Sequence, residues 1–282
     1  MDPHRHVFAD RSERGKLALT GPQRAWFLHQ ILTQAFEDIG AGEARDTALI
    51  TAHGRMVGYM ETLATEDAIL MHFEPELRDT LPDALGRYVF ATQVDIADVT
   101  EDYGLELVVA SDWSEVAAEI APEAKAHRTL SLGVPAGYLW TEPHDVQRVQ
   151  AELKGRGFEH ASEKELEELR VERGMARWGR DMTEKTLPPE AGLDEVAVHY
   201  DKGCYVGQEA MAKIRFRGKV NRRLRRLESE GPLEAGVDLK LDDGKVGTVT
   251  SVAGNRALAM VRYTVEPGTQ VIAGDSLATV TE

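Results

Sequence analysis

Cys204 is the only cysteine among the 282 residues of the chain. One thiol cannot form an internal disulfide, and a cysteine-based structural metal site would lack its other ligands, so we expect no metal site. The fold must therefore rest on a hydrophobic core, and a chain of 282 residues with 42% hydrophobic side chains can build one for two or three domains. The unpaired thiol suits a reducing, cytoplasmic setting.

Charge and hydropathy argue against several classes of protein. The chain carries 48 acidic and 33 basic side chains, a net charge of −15, which disfavours a nucleic-acid partner. No apolar run approaches the roughly 20 residues that cross a bilayer. The first residues also lack the apolar segment of a secretory signal. We therefore expect a cytoplasmic protein with neither nucleic acid nor membrane as a partner.

The residues around Cys204 form a short glycine-containing string. A basic stretch follows it, with no acid between Met211 and Leu227. Composition alone permits two interpretations: a glycine-rich turn feeding an edge strand around an inert thiol, or a reactive thiol whose pKa is lowered by nearby cations. The string, called the signature below, consists of Lys202, Gly203, Cys204, Tyr205, Val206, Gly207, Gln208 and Glu209.

Alternating and helical patterns divide the chain before the signature into two α+β units. Helices are predicted to start at Thr20, Pro75, Pro143 and Ser162, the last with a capping box and an end at Gly174. Strands are predicted near residues 16–19, 47–52, 56–63, 67–73, 88–98 and 105–110. We place the units at residues 1–104 and 105–215.

The pattern changes near Val220, where short apolar segments alternate with turn sequences. The segments lie near residues 220–227, 246–252, 257–263 and 276–280. Frequent turns without a helical period predict a small β-barrel, which we place at residues 216–282. Before it, residues 178–199 are too rich in proline and glycine for a long element, and such a loop in a compact protein is usually functional.

The signature resembles the K-G-C-Y-x-G-Q-E motif of the YgfZ-type folate-binding proteins. These are relatives of the glycine-cleavage T-protein, an aminomethyltransferase, and are associated with iron–sulfur cluster assembly or repair. The similarity covers most of residues 8–225: Arg170 to Gly174 is similar to the R-x-E-x-G segment of T-proteins. The resemblance implies an α+β fold, with two ferredoxin-like units around a central folate-binding hole and a C-terminal β-barrel.

The resemblance also implies roles for individual residues. Glu172 matches the glutamate that holds the pterin, and two carboxylate oxygens suit two parallel N–H donors. Arg170 would brace that carboxylate or line the pocket. Cys204 is the candidate catalytic residue, at the mouth of the same pocket.

The chain departs from the T-proteins where they carry an acidic pair. Gly58 and Tyr59 stand at those positions, and neither can act as a carboxylate acid or base, a role commonly worth about 10²–10⁴ in rate. Glu61 could share a strand face with Tyr59 and substitute. His72 stands where T-proteins have an asparagine-bearing strand end. Tyr59 and His72 are therefore predicted to be folate-binding.

The basic run from Lys213 to Arg226 permits several interpretations. As a β-segment, its alternation would place Lys213, Arg215 and Arg217 on one face. That face could bind the glutamate tail of a folate, dock an acidic partner or protect a solvated edge. Nucleic-acid binding is the weakest interpretation, because Phe216 is the one aromatic residue in the run.

Three functions follow from these observations. The first is a protein that binds tetrahydrofolate or a derivative and supports the assembly or repair of iron–sulfur client enzymes, with folate-linked chemistry at Cys204. The second is an aminomethyltransferase, against which the missing acidic pair argues. The third is a non-enzymatic, folate-bound scaffold for an acidic client protein. The first requires Glu172 and Cys204 to face one cavity.

Overall fold

The computed structural model describes residues 6–218 and 220–281, except the side chain of Arg217. Lys219, part of the basic run, lies outside the described residues. The described residues form sixteen strands and six α-helices. The strands are β1 (Val7–Asp10), β2 (Gly15–Thr20), β3 (Ala44–Ile50), β4 (Met56–Ala64), β5 (Ile69–Phe73), β6 (Asp95–Asp98), β7 (Gly104–Val109), β8 (Lys125–Arg128), β9 (Ala136–Thr141), β10 (Glu159–His160), β11 (Arg222–Ser229), β12 (Asp238–Leu241), β13 (Gly244–Ala253), β14 (Arg256–Arg262), β15 (Gln270–Ala273) and β16 (Ser276–Thr281). The helices are α1 (Arg24–Ile31), α2 (Leu81–Gly86), α3 (Trp113–Ile120), α4 (Val146–Gly155), α5 (Glu163–Arg173) and α6 (Gln208–Arg217).

Ten of the described strands form two sheets of five. The first sheet has the order β3-β4-β5-β2-β6 and the second the order β10-β1-β7-β9-β8. Although β1 comes first in the chain, it belongs to the second sheet, where it pairs antiparallel with β7 and parallel with β10. The boundary at residue 104 stays a prediction, and the sheet pairing adds that the N-terminal strand is part of the second unit.

Alternation along the strands separates an outer core from an inner one on each sheet. On β5, Met71 packs with α1 and α2 on the outer side, while Leu70 packs against the second sheet. On β7, Val108 packs with α3 and α4, and Leu107 faces the first sheet. The architecture is therefore helices, sheet, sheet, helices, with the inner faces of the two sheets opposed.

Helix α5 connects the opposed sheets to the C-terminal domain. Its N-terminus carries the predicted capping box: the Glu165 N–H donates to Ser162 Oγ at 3.3 Å, and the Glu165 carboxylate accepts from the Ser162 N–H at 2.9 Å. Leu166 and Leu169 join the core between the sheets. On the other side, α5 contacts β13 and β14.

The described residues from Arg222 to Thr281 form a closed barrel of six strands in the order β11-β14-β13-β12-β15-β16. The predicted α+β class with a small C-terminal barrel is thus confirmed. Two local predictions were wrong. Residues 88–98 contain a strand only at Asp95–Asp98, and residues 213–217 of the basic run belong to helix α6 instead of a β-segment. No helix in the described part of the chain is both long and apolar enough to cross a lipid bilayer.

Candidate functional site

A row of polar side chains crosses the inner face of the first sheet. The antiparallel register pairs Asp46 with Glu61, Glu61 with His72, and His72 with Lys16 across β3, β4, β5 and β2. Directly paired residues point to the same face of a sheet, so these side chains project together toward the second sheet. Glu61, His72 and Lys16 are each at most 1% exposed.

A chain of hydrogen bonds joins this row to the second sheet. Arg14 Nε donates to His72 Nδ1 at 2.9 Å, so the proton of the neutral His72 ring lies on Nε2. That nitrogen donates to His127 Nε2 at 3.2 Å, and His127 Nδ1 donates to the carbonyl oxygen of Arg128 at 2.9 Å. Both imidazoles are satisfied as neutral rings. Burial lowers the pKa of His72 well below its ordinary value and that of His127 to about 4.

The same histidines and Glu61 offer ligand atoms within 4.8 Å of one another. Two imidazoles and a carboxylate can bind transition metals. Here, however, His72 Nε2 carries a proton, and the Arg14 guanidinium occupies the other side of that ring. A bound cation would displace the proton and face the arginine charge at short range. The cluster is therefore better described as a hydrogen-bonded polar core than as a metal centre.

A small space, called the chamber below, lies beside this polar core. Its volume is about 40 Å³, enough for a few waters or a small chemical group but not for a bicyclic heterocycle. It is lined from both sheets and from α5. Among the lining residues are Tyr59, Glu61, Leu107, Tyr138 and Arg170.

The chamber contains a buried carboxyl group with an unusual environment. Neither oxygen of Glu61 makes a hydrogen bond of ordinary geometry to a described residue, although the Thr129 hydroxyl lies close enough to act against the rise in its pKa, and Arg14 Nη2 lies 3.7 Å from Glu61 Oε1. Burial, reinforced by the neighbouring Asp46 carboxylate, raises the pKa of Glu61 to about 8 against the opposing charge of Arg14. This side chain is consequently protonated for most of the time at neutral pH.

A wider space, the groove, adjoins the chamber. It has a volume of about 610 Å³ and a mostly apolar lining that includes Trp113, Met175 and Leu193. Tyr59 and Ser131 line both spaces, as does Ala176. A concave, mainly apolar pocket of several hundred Å³ is the usual form of a small-molecule site.

Polar groups in the groove are few, and Asp46 is the carboxylate among them. It is half-buried, and its Oδ2 atom has no hydrogen-bond partner among the described residues. Burial raises the pKa of Asp46 to about 6, while Tyr59 and Arg128 act in the opposite direction. At neutral pH the Asp46 carboxylate is therefore mainly ionised and can accept hydrogen bonds from a ligand.

A third space, the cleft, continues the groove toward solvent. It has a volume of about 380 Å³. The groove and the cleft share four lining residues: Asp46, Arg128, Leu130 and Val196. Arg45 lines the cleft but not the groove. Chamber, groove and cleft thus form a continuous path from the polar core to a mouth lined by Arg45 and Arg128 and by the carboxylates of Asp38 and Glu195.

Ion pairs hold α5 against the first sheet at the closed end of this path. Arg177 Nε donates to Glu74 Oε2 at 3.0 Å, and Arg177 also pairs with Glu163. Arg14 pairs with Glu74 from the other side. Their charges, together with that of Arg11, keep the pKa of Glu74 below its ordinary value in spite of burial. The chamber wall is therefore a fixed set of charges that needs no ligand to order it.

The comparisons with known proteins agree with this architecture. Residues 221–281 match the family described as the CAF17 C-terminal beta-barrel domain, which covers nearly all of the barrel. The crystal structure of aminomethyltransferase T of the glycine cleavage system from Bartonella henselae superposes with a TM-score of 0.87, at 18% sequence identity, over 99% of this chain and 86% of that one. This chain has the aminomethyltransferase T fold.

Sequence relatives point to the same group of proteins. A chloroplastic protein of Arabidopsis thaliana named as a transferase is 27% identical over 89% of this chain and 62% of its own length. An aminomethyltransferase of Rubrobacter xylanophilus is 26% identical over 86% of this chain and 70% of its own. The tRNA-modifying protein YgfZ of Cronobacter sakazakii is 23% identical over 82% of this chain and 75% of its own. The predicted relationship to YgfZ and the aminomethyltransferases is thereby confirmed.

Within the aminomethyltransferase T fold, the signature forms a rigid loop anchored to α1. The Lys202 ammonium donates to the carbonyl oxygens of His29, Leu32 and Gln34 at 2.5–2.8 Å, and it lies 4.6 Å from the centre of the Tyr205 ring. Carbonyls at a helix C-terminus lack partners within the helix, and a cation satisfies them. Burial lowers the pKa of Lys202 to about 7 against the opposing charge of Glu37.

Other signature residues complete the loop. Gln208 Nε2 donates to the Lys202 carbonyl at 3.1 Å. Gly207 has φ = +82°, and a Cβ atom there would lie 2.5 Å from the Thr51 carbonyl oxygen, so only glycine fits. Glu209 lies in the first turn of α6 and pairs with Lys213 at 2.6 Å. Gly203 is exposed.

Cys204 does not lie where it was expected. The thiol is exposed on the loop between Gly203 and Tyr205 and is absent from the linings of the chamber, groove and cleft. Lys202 cannot readily act on the thiol, because its ammonium is directed at the end of α1. The expectation that the thiol opens onto the same cavity as Glu172 is wrong for this structure.

Glu172 also points away from the path. It lies half-buried near the end of α5, 3.4 Å from Arg256 of β14, in a crevice between α5 and the barrel. Arg170 does line the chamber, as expected, but its guanidinium binds Asp181 at 2.6 Å and Ser251 at 2.7 Å instead of Glu172. Helical geometry explains the difference, because residues two positions apart project from different sides.

Arg215, which was predicted to bind the glutamate tail of a folate, also lies away from the path. It lies on α6, exposed, with its guanidinium 4.5 Å from the centre of the Tyr200 ring and 3.6 Å from Asp201. It lines none of the three spaces of the path. The interpretation of the run as a charged sheet edge is also wrong, because β11 is paired on both sides within the barrel.

Of the other predicted site residues, Tyr59 lines the chamber and the groove, and His72 belongs to the polar core. Sequence reasoning missed Asp46, Arg14, Arg128 and His127. They carry no motif and meet only through strand register and the packing of one sheet on the other.

Proposed function

We propose that this protein binds tetrahydrofolate or a related reduced folate along the path formed by chamber, groove and cleft. The observation that carries the proposal is the apolar groove of about 610 Å³ that holds the half-buried, unpartnered Asp46 oxygen. A flat heterocycle with N–H donors suits such a site, since its faces are apolar and its edge is polar. Homology to aminomethyltransferases and YgfZ supports the choice of folate.

The arrangement of charges supports one orientation of the ligand. The amino-substituted edge of the pterin would donate to Asp46, with Trp113 and Tyr59 as the aromatic residues of the lining. The tail would pass into the cleft, where Arg128 can pair with its carboxylates, whereas Arg45 is already paired with Asp38 and Glu43. In this orientation Arg128 takes the role that the sequence assigned to Arg215.

Isothermal titration with tetrahydrofolate tests the proposal. Wild type should bind with measurable heat and saturation. Asp46→Asn should raise Kd by at least about tenfold, because a charge-assisted hydrogen bond contributes roughly 1.5–3 kcal/mol. Asp238→Asn, on the barrel surface beside Lys245, is the control and should leave Kd unchanged. Absence of binding by wild type far above micromolar ligand would refute folate binding.

Support of iron–sulfur cluster assembly or repair forms the second part of the proposal. Similarity to YgfZ, the signature and an exposed thiol favour it. In cells that lack the gene, wild type should restore the activity of an iron–sulfur client enzyme, and Cys204→Ala should not. Full restoration by Cys204→Ala would remove the thiol from the mechanism and favour the scaffold function.

Aminomethyl transfer is the alternative, favoured by relatives that carry that name. Gly58 and Tyr59 in place of the acidic pair argue against it. Formation of methylenetetrahydrofolate from an aminomethylated lipoyl carrier would decide for it, and its absence in the presence of demonstrated folate binding would exclude it.

A further inference from the structure

The acidic pair absent at Gly58 and Tyr59 has a structural counterpart on neighbouring strands. Asp46 and Glu61 are directly paired residues of the antiparallel strands β3 and β4. Side chains at such positions have Cβ atoms about 4.5–5.5 Å apart and project to the same face. Two carboxyl groups at this separation cannot both ionise at neutral pH without a large cost in a poorly solvated site.

The two members of the pair open onto different parts of the ligand path. Glu61 lines the chamber, and Asp46 lines the groove. Glu61 is 1% exposed, and neither of its oxygens nor Asp46 Oδ2 makes a hydrogen bond of ordinary geometry to a described residue. A buried polar atom without a partner costs free energy that a ligand or an ordered water can recover.

We propose that Asp46 and Glu61 form a coupled carboxyl pair that carries one proton at neutral pH and gives it, through Asp46, to the ligand in the groove. The identity of the ligand rests on the proposed function, whereas the pair itself rests on the sheet register. The exchange is a single proton transfer: the O–H bond of the protonated carboxyl breaks and an N–H bond forms on a basic nitrogen of the ligand. The pair then carries two negative charges, which the new positive charge on the ligand nitrogen offsets, and no other reactant is needed.

The surroundings favour one proton over none or two. Burial works against two negative charges, while Arg14 and Arg128 stabilise one. Charged and titratable groups surround Glu61 on both sides. From the first sheet and the residues next to its strands, they are Asp46, Tyr59, His72, Arg14 and Glu74. From the second sheet, α5 and the segments next to them, they are His127, Tyr138, Glu163, Glu167, Arg170, Arg11 and Arg177.

The histidines do not compete for this proton. Their hydrogen-bond chain satisfies His72 and His127 as neutral rings, as described above. Burial also raises the pKa of Tyr138, so this phenol stays protonated at neutral pH. Burial lowers the pKa of Lys16, in the same row of polar side chains, to about 8, so the carboxyl pair and Lys16 are the groups on this sheet face that change charge near neutral pH.

Titration of the free protein tests the pair without any ligand. In ¹³C NMR of the glutamate carboxyls, the signal that disappears in Glu61→Gln should titrate with a midpoint near pH 8. Asp46→Asn should lower that midpoint, because it removes a neighbouring negative charge. A Glu61 signal that titrates in the ordinary range of a glutamate, or one whose midpoint is unchanged in Asp46→Asn, would overturn the proposal. If Glu61→Gln does not fold, the shift in Asp46→Asn still identifies the signal.

Glu106 provides a matched control. It is fully buried, and burial raises its pKa to about 8, yet it binds Gln150 of α4 on the opposite face of the second sheet. Glu106→Gln should therefore remove a second signal of similar midpoint and leave that of Glu61 unchanged.

Calorimetry at pH 7 in two buffers of different ionisation enthalpy tests the exchange with tetrahydrofolate. Because the proton moves within the complex, the observed heat should be the same in both buffers for wild type and Glu106→Gln. For Glu61→Gln the ligand must take its proton from solution, so the heat should differ between the buffers. Buffer-dependent heat for wild type would overturn the direct transfer. Failure of wild type to bind at all would instead refute the proposed function, and the carboxyl titration would then decide whether the pair exists.

Discussion

At the scale of single residues, Lys202 shows how a motif residue can act through the backbone of another element. Its ammonium caps the C-terminal carbonyls of α1, although the two segments are separated by some 170 residues in sequence. Composition suggested that this cation would activate Cys204. The structure gives it a positioning role: it fixes the loop that presents the thiol to solvent.

Replacement of Lys202 by methionine keeps the aliphatic stem and removes the donors. The carbonyls of His29, Leu32 and Gln34 would then lose charge-assisted hydrogen bonds. We expect the free energy of unfolding to fall by about 2–4 kcal/mol in urea titrations. Lys213→Met, on the exposed face of α6, should change it by less than about 0.5 kcal/mol. Equal effects of the two changes would show that the capping contacts do not form.

The position of Cys204 gives a second prediction at this scale. Because the thiol is exposed and outside the ligand path, it should react completely with a thiol reagent in the folded protein. Cys204→Ala should leave the Kd for tetrahydrofolate unchanged in the titration that tests Asp46→Asn. Protection of the thiol by folate would contradict the separation of the two sites.

At the scale of elements, local sequence signals succeeded where they were self-contained. The Ser162 capping box and Gly174 set the ends of α5, and the turns of the last sixty residues marked a barrel. The same reasoning failed for α6, because basic residues at alternate positions imitate the period of a strand. The helix depends on glycines with positive φ at both ends, Gly207 and Gly218, and on contacts that the sequence does not display.

Gly207 allows a prediction about the loop that precedes α6. Gly207→Ala and Gly157→Ala both place a Cβ atom at positive φ, which costs about 1–2 kcal/mol. At Gly157 no described atom lies within 4 Å of that Cβ, whereas at Gly207 it would strike the Thr51 carbonyl. Gly207→Ala should therefore lower the free energy of unfolding by about 1–3 kcal/mol more than Gly157→Ala. Equal values in urea unfolding would indicate that the loop can move away from β3 without cost.

At the scale of the whole molecule, the ligand path is a product of sheet packing. The resemblance to T-proteins anticipated the fold class, whereas the central folate-binding region stays a prediction. It could not anticipate Asp46, since its place beside Glu61 follows from the register of β3 on β4. Nor could it show that Glu172 turns toward the barrel. Pairings between distant residues are decided by tertiary contacts, which leave no local pattern in one sequence.

The same packing makes stability depend on pH in a direction that can be tested. The pKa of Glu61 is raised to about 8 in the folded protein from about 4.3 in an unfolded chain. The folded state therefore binds more protons between these values, so the contribution of Glu61 is full below about pH 4 and is lost as the pH rises through 8. Between pH 5 and 8, wild type should lose about 3 kcal/mol of unfolding free energy relative to Glu61→Gln, at about 1.36 kcal/mol per pH unit. Glu209→Gln, exposed on α6, should follow wild type in urea titrations at both pH values. Parallel curves for wild type and Glu61→Gln would mean that the Glu61 carboxyl is already ionised at pH 5, and that water reaches the space between the two sheets.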